Sequence, residues 1–334
     1  MGPTDRQPPS VDHPTVLLVL ASARSGTTLL GKLLDLHPGV TFVGELNRRR
    51  AWLERQGACA CGMPYRECPV WAPLATRPSF AADHGGTAAD RRATAPEVRE
   101  LQATVRRPAA LIRLLLGVPT GGQFRYVAYV EQLYRDVAAQ ADTPVIVDTS
   151  KKNLVEILLF TRIGSLPFHI VHLHRDPRGV VASRLRGARR RSERAGGGGH
   201  PWAARLGLPI VVPDALAWDR VNGAGLLLER RSPGSTARVP YEVLVADSRG
   251  TVGALLDGVG LDAADLPDAW PAPDVVDFPT NHSMAGNRGR RTRGPTPLVA
   301  DDRWRDDLHP AFRVVVDALT APVRRGLHRP SSST

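Results

Sequence analysis

The stretch Ala21-Ser22-Ala23-Arg24-Ser25-Gly26-Thr27-Thr28 stands between a continuous apolar run, Val16 to Leu20, and a helical pattern over Thr27 to Leu36. A loop in that position suits an anion. Backbone N–H groups of Ser25 to Thr28 lie at the positive end of the helix, where negative charge is stabilised. Gly26 lets the backbone approach closely, and the Thr27 and Thr28 hydroxyls add donors. Arg24 supplies a planar, permanently charged fork that fits phosphate or sulfate. The nucleoside-triphosphate loop G-x-x-x-x-G-K-[ST] is not reproduced. Thr28 keeps its final hydroxyl, but Thr27 replaces the lysine and Ala21 the first glycine. A tight strand-to-helix turn capped by Ser25 or Thr27 is the structural alternative.

Other segments carry chemistry as well. In "HLHRDPRGVVAS", Arg175 closes an apolar strand and Ser183 follows eight residues later in the next helix. The alternative there is a helix start capped by Asp176, with Arg178 on the surface. Glu45 lies 21 residues after Arg24, just past a second strand, so it belongs at the carboxyl edge of a sheet. Pairing with one of Arg48 to Arg50 is its bland role, and His37, in His37-Pro38-Gly39, is a rival base that also suits a cap. "VDTSKKN" places Ser150, Lys151 and Lys152 after another strand, and "VPYEVLVAD" places Tyr241 at a strand end, where a simply buried ring is the alternative. "HSMAGNRGR" offers Asn287, Arg288 and Arg290, with Gly286 and Gly289 allowing close backbone approach. Spacing does not say which arginine points inward.

The three cysteines, Cys59, Cys61 and Cys68, fall in one segment, "CACGMPYRECPVW". They could hold zinc with a fourth ligand from elsewhere such as a histidine, form one disulfide, or stay reduced and pack beneath Trp71. In a reducing compartment the order of expectation is packed thiols, then metal, then disulfide.

The elements that position these residues recur as strand, loop and helix. Strands are expected at Val16–Leu20, Val40–Val43, Val145–Val147, His169–Leu173 and Ala237–Pro240. Helices are expected at Thr27–Leu36, Glu97–Leu116, Gln123–Ala139, Asn153–Ile163, from Pro177 through Leu185, and at Pro213–Leu228 and Val243–Val259, with an amphipathic one near Pro310–Arg325. That alternation predicts an α/β fold, a three-layer parallel sheet flanked by helices, with ligands at the strand carboxyl ends. Residues 1–14 and 328–334 read as disordered tails around a single domain at 15–327. This domain carries a helical, cysteine-containing insertion at about 50–140 and a mobile loop at about 186–212, rich in glycine and arginine.

Composition narrows the class. The 334 residues carry a net charge of +11, almost all from arginine, since lysine occurs only at 32, 151 and 152. So many guanidinium groups suit nucleic acid, an anionic small molecule, or simply the arginine bias of a GC-rich genome, and composition alone does not separate these. With 5% aromatic residues and no aromatic–basic interleaving, a nucleic-acid platform is not expected. No apolar run is long enough to span a bilayer, and the first residues carry neither a secretory pattern nor the Ser/Thr that myristoylation wants, Arg6 standing there instead. A cytoplasmic enzyme without stable membrane insertion is the expectation.

The stretch "SARSGTTLLGKLLDLHPGV" followed by "GE" resembles the 5′-phosphosulfate loop of PAPS-dependent sulfotransferases, PAPS being 3′-phosphoadenosine 5′-phosphosulfate. It is most similar to the branch that holds tyrosylprotein sulfotransferases and many bacterial enzymes, whose loop begins with arginine. "HLHRDPRGVVAS" resembles that superfamily's 3′-phosphate motif at Arg175 and Ser183, and the Tyr241 and 287–290 segments are weaker echoes. The resemblance implies a P-loop-like sulfotransferase fold and PAPS as donor. It also implies adenosine 3′,5′-bisphosphate as product, and a small-molecule, glycan or lipid hydroxyl as acceptor. Arg24, Ser25, Gly26, Thr27, Thr28, Ser150, Arg175, Ser183, Tyr241, Asn287, Arg288 and Arg290 would bind the donor. Glu45 would be the general base, and Arg24 and Lys151 would stabilise the transferring group, in a scheme that requires no metal. A P-loop kinase would want lysine at 27 and Mg²⁺. A polyanion-binding module would want neither turnover nor Glu45.

Overall fold

The run Thr15–Leu20 (β1) is buried along its whole length, as a strand covered on both faces must be. The structure is a computed structural model that describes residues 8–48, 57–77, 107–150, 154–194 and 208–329. With Val40–Gly44 (β2), Val145–Asp148 (β3), Phe168–His174 (β4) and Thr236–Pro240 (β5), it forms a five-stranded sheet of order β2-β3-β1-β4-β5. β1 and β2 both run parallel to β3, with Thr15 and Val40 each in register with Val145. A mostly parallel sheet flanked by helices is the α/β class that the sequence predicts. Two further strands, Val275–Phe278 and Gly294–Pro297, form a separate antiparallel pair.

The chain separates into two compact units of interleaved segments. One comprises Met1–Val19, Thr28–Ile170 and Arg249–Pro297; the other comprises Leu20–Thr27, Val171–Ser248 and Leu298–Thr334.

In the first unit, the helix Thr27–Leu34 (α1) buries Leu30, Leu33 and Leu34. Gly31 lies so close to the Phe42 ring that a Cβ there would stand 2.4 Å from it. The long helix Gly121–Ala141 (α2) starts in a capping box between Thr120 and Gln123 and stops at Asp142, whose φ of 52° ends the helical run. From α2, Tyr134 donates to Asp148 Oδ2 at 2.6 Å, while Asp148 Oδ1 accepts Ser150 N–H at 2.7 Å. One buried carboxylate thus shapes the turn after β3.

In the second unit, the helices Pro177–Arg194 (α3), Leu208–Arg231 (α4) and Pro310–Leu327 (α5) share a core of Val181, Ala182, Leu185, Val211, Ala215, Leu308 and Val316. Two expectations are corrected here. The predicted mobile loop at 186–212 is helical at both its described ends, since α3 runs to Arg194 and α4 begins at Leu208; residues 195–207 lie outside the described residues. The arginine run remains helical because arginine is a good helix former, and Arg186 at its start finds Asp301 and Asp307. The single helix expected over Val243–Val259 is two, Tyr241–Ala246 and Ser248–Asp257, broken where Asp247 takes φ −137° and ψ 75°.

Candidate anion-binding site

In the second unit, the loop after β1 is bent by two residues with positive φ, Arg24 at 72° and Gly26 at 94°. For a non-glycine residue this region is disfavoured, so Arg24 holds its place through its partners. Its Nε donates to Ser183 Oγ at 2.9 Å, and its carbonyl accepts a bond from Arg175 NH1 at 3.1 Å. Arg175 is 6% exposed, and its other terminal nitrogen donates to the Asp301 carbonyl at 2.8 Å. The guanidinium also lies over the Tyr241 ring, 4.6 Å from its centroid. Gly26 packs on that same ring so tightly that a Cβ would stand 2.6 Å from Tyr241 Cδ2. Inside the loop, the Ser22 and Ser25 hydroxyls bond each other at 2.7 Å.

Around this knot further guanidiniums are paired with carboxylates, Arg175 itself reaching Asp301 Oδ2 at 3.3 Å. Arg186 reaches Asp301 and Asp307 at 2.6 Å each, and Arg184 reaches Asp214 at 3.0 Å. Burial, followed by the charges of Arg175, Arg184 and Arg186, holds the Arg24 guanidinium below its ordinary pKa, with only Asp301 opposing. Burial alone would raise the Asp301 carboxyl. The hydrogen bond from Arg303 and the charges of Arg186 and Arg175 outweigh it and hold the group at about 2. Among the described residues Arg24 forms no ion pair with a carboxylate, and only its Nε is engaged by a side chain. A partly buried cation facing three others is relieved most by an incoming anion.

The first unit holds the remaining described candidates. Glu45 follows β2 and is 8% exposed; its N–H donates to the Ala285 carbonyl at 3.4 Å. Gly44, with φ 78°, leaves no room for a side chain, since a Cβ would meet the Ala285 oxygen at 2.7 Å. Ser150 caps the segment after Glu45. Its Oγ accepts Asn47 N–H at 3.0 Å, and its carbonyl accepts Asn47 Nδ2 at 2.8 Å. Gly286 approaches Thr28, a Cβ there lying 3.7 Å from Thr28 Oγ1, and Asn287 caps the turn that follows it. Arg290 is 3% exposed and donates to the Ala58 carbonyl at 2.9 Å, whereas Arg288 is exposed. Lys151 and Lys152 lie outside the described residues.

The structure therefore brings together Arg24, Ser25, Gly26, Arg175, Ser183 and Tyr241, and separately gathers Glu45, Ser150 and the 285–287 segment. Sequence reasoning missed Arg184, Arg186, Asp301 and Arg303. Only the three-residue step from Ser183 to Arg186 hinted that helix α3 carries the charge around to the same side. It also missed His282 as a partner of the cysteines, for which no local spacing gives a signal.

A sequence model of the sulfotransferase family matches residues 16–265. No curated protein sequence matches the chain. Among solved structures the chain is similar to a sulfotransferase domain from the curacin biosynthetic pathway, with 18% identity and a TM-score of 0.47 over 92% of this chain and 98% of that one. A sulfotransferase domain from the Synechococcus PCC 7002 olefin synthase gives 16% identity and a TM-score of 0.47 over 96% of each chain. The sulfotransferase STF1 from Mycobacterium tuberculosis H37Rv gives 15% and 0.38 over 75% of this chain and 68% of that one. No helix among the described residues is long and apolar enough to cross a membrane.

Proposed function

The chain belongs to the sulfotransferase family, and from that premise we propose that it transfers a sulfuryl group from PAPS to a hydroxyl acceptor. The observation that carries this reading is the knot of Arg24, Arg175, Ser183 and Tyr241, in which two guanidiniums and a hydroxyl converge beside a glycine loop. In the proposal the loop Ser25 to Thr28 and Arg24 receive the 5′-phosphosulfate, and Arg175 and Ser183 receive the 3′-phosphate. Tyr241 keeps the loop seated through Gly26. Asn287 and Arg288 are further candidate donor ligands in the proposal, while Arg290, engaged with Ala58, anchors their segment. Ser150 and Lys151 are assigned to the transferring group in the same proposal.

The acceptor hydroxyl attacks sulfur, the bond between sulfur and the bridging phosphate oxygen breaks, and Glu45 takes the acceptor's proton. The products are a sulfate ester and adenosine 3′,5′-bisphosphate. Arg24 and Lys151 offset the charge on the leaving phosphate, the same logic that governs phosphoryl transfer. The relation to the tyrosylprotein branch and a cytoplasmic location belong to this proposal too.

The test is incubation with PAPS and a panel of phenol, sugar, lipid and peptide acceptors, read by mass spectrometry. Sulfated product is expected. Glu45→Gln should lower turnover by about 10²- to 10⁴-fold with adenosine 3′,5′-bisphosphate affinity unchanged. Retained turnover would remove Glu45 from the base's role, and absence of product across acceptors together with absent nucleotide binding would sink the reading.

A further inference from the structure

The three cysteines meet a histidine from far along the chain. Sγ of Cys59, Cys61 and Cys68 and Nδ1 of His282 all lie within 4.8 Å of one another. Cys68 Sγ is 3.2 Å and Cys59 Sγ 3.8 Å from His282 Nδ1, and Cys61 Sγ is 3.9 Å from Cys68 Sγ. A tetrahedral zinc with Zn–S near 2.3 Å and Zn–N near 2.05 Å sets its ligands about 3.8 Å apart for S···S and about 3.6 Å for S···N. The observed separations scatter around those edges. From this geometry we propose that Cys59, Cys61, Cys68 and His282 bind one structural zinc ion.

Chemistry and surroundings agree with that assignment. Three thiolates and one imidazole are a ligand set that selects zinc over hard cations. Backbone N–H groups of Trp71 and Val70 lie within hydrogen-bond reach of Cys68 Sγ, and that of Cys61 within reach of Cys59 Sγ. Binding releases the thiol protons to solvent, so Zn²⁺ with three thiolates and a neutral imidazole carries a net charge of −1. Three guanidiniums stand ready for that charge. Arg290 donates to the Ala58 carbonyl at 2.9 Å, Arg291 to the same carbonyl at 3.4 Å, and Arg293 to that of Cys61 at 2.6 Å. The outer support of the histidine is present too, with Trp71 Nε1 donating to the His282 carbonyl at 2.6 Å.

The ion has a structural consequence that packing of free thiols would not give. It ties the hairpin at 58–64 to the segment after Asn281, which is already stitched by Ala60 N–H to the Ser283 carbonyl at 3.1 Å. That segment continues along the end of β2, where Met284 N–H meets the Val43 carbonyl at 3.0 Å and Ala285 accepts from Glu45. Zinc would therefore hold the strip that backs Glu45, without touching any reacting atom. This role is independent of the donor proposed above.

The experiment is metal analysis of the full chain purified without chelators, combined with thiol alkylation before and after denaturation. One equivalent of zinc per chain, with thiols protected until the metal is extracted, is expected. Cobalt(II) exchanged into the site should give thiolate-to-cobalt charge-transfer bands and tetrahedral ligand-field absorption. Cys61→Ser and His282→Ala should each release the metal to a competing chelator at least about tenfold faster than wild type. Metal-free protein whose three thiols alkylate freely would overturn the proposal, as would two thiols that react only after reduction. Zinc held equally well by both variants would overturn the ligand set.

Discussion

Two arginine-rich regions of this protein use the same side chain in opposite ways. In the second unit Arg24, Arg175, Arg184 and Arg186 crowd one another, and the burial and mutual repulsion are felt by Arg24 as a lowered pKa. In the first unit Arg290, Arg291 and Arg293 act as long donors, each ending on a backbone carbonyl of the cysteine hairpin. Guanidiniums bound to carbonyls are already partnered within the fold. Arg175, Arg184 and Arg186 pair with Asp301, Asp214 and Asp307, whereas Arg24 has no carboxylate partner among the described residues, so an anionic ligand would gain most beside Arg24. A net charge of +11 hides this distinction, because the count does not say where each fork points.

Exchanging the two roles is the sharpest way to break the comparison. Arg175→Ala should weaken adenosine 3′,5′-bisphosphate by about 1.5–3 kcal/mol, the worth of hydrogen bonds to a charged group, read by calorimetry. Arg290→Ala should instead lower folding stability by about 1.5 kcal/mol, seen as a shifted denaturant midpoint, with nucleotide affinity within about twofold of wild type. If Arg290→Ala weakens the nucleotide as much as Arg175→Ala does, the two regions are not distinct in function. Ser183→Ala should come next, at about 0.5–1.5 kcal/mol of nucleotide affinity. It also leaves Arg24 Nε without its partner, so folding stability should fall too, by about 1 kcal/mol.

The smallest effect near neutrality is one of pH, and it lies on β4 of the second unit. Burial, then the neighbouring His172 and Arg238, push His174 down to about 3. A depressed histidine stays neutral when folded but takes a proton when unfolded, so stability falls as pH drops below about 6.5 and continues to fall toward 3. Glu229 adds to this lower down. Burial would raise it, yet hydrogen bonds from His172 and Arg238 hold it at about 2, so its contribution is lost as pH falls below about 4.5. Urea midpoints measured from pH 7.5 downward should decline, and His174→Gln should flatten the decline between 6.5 and 5. An unchanged slope in that variant would remove His174 as the cause.

Much of the frame was legible in sequence because it depends on local patterns. β1 is a pure apolar run, Gly26 sits where the loop needs positive φ, and Arg175 ends a strand that cannot be mistaken for a helix. Legibility failed where distant partners decide. Arg-rich residues 186–194 look like a loop by composition, but Val181, Ala182 and Leu185 bury one face of their helix while Arg184 and Arg186 find Asp214, Asp301 and Asp307. His282 stands 214 residues after Cys68, and no periodicity links such a pair. Likewise the 3′-phosphate candidates Arg288 and Arg290 have identical spacing signals. In the structure Arg290 is buried against Ala58 and Arg288 is exposed, a difference that no spacing signals.

The most direct test of the central claim compares two nucleotides on one protein. Calorimetric titration with adenosine 3′,5′-bisphosphate and with adenosine 5′-monophosphate isolates the 3′-phosphate. Wild type is expected to bind the bisphosphate at least about tenfold more tightly, without Mg²⁺, and Arg175→Ala to erase most of the difference. Equal affinities for the two nucleotides, or tighter Mg²⁺-dependent binding of ATP, would contradict the claim.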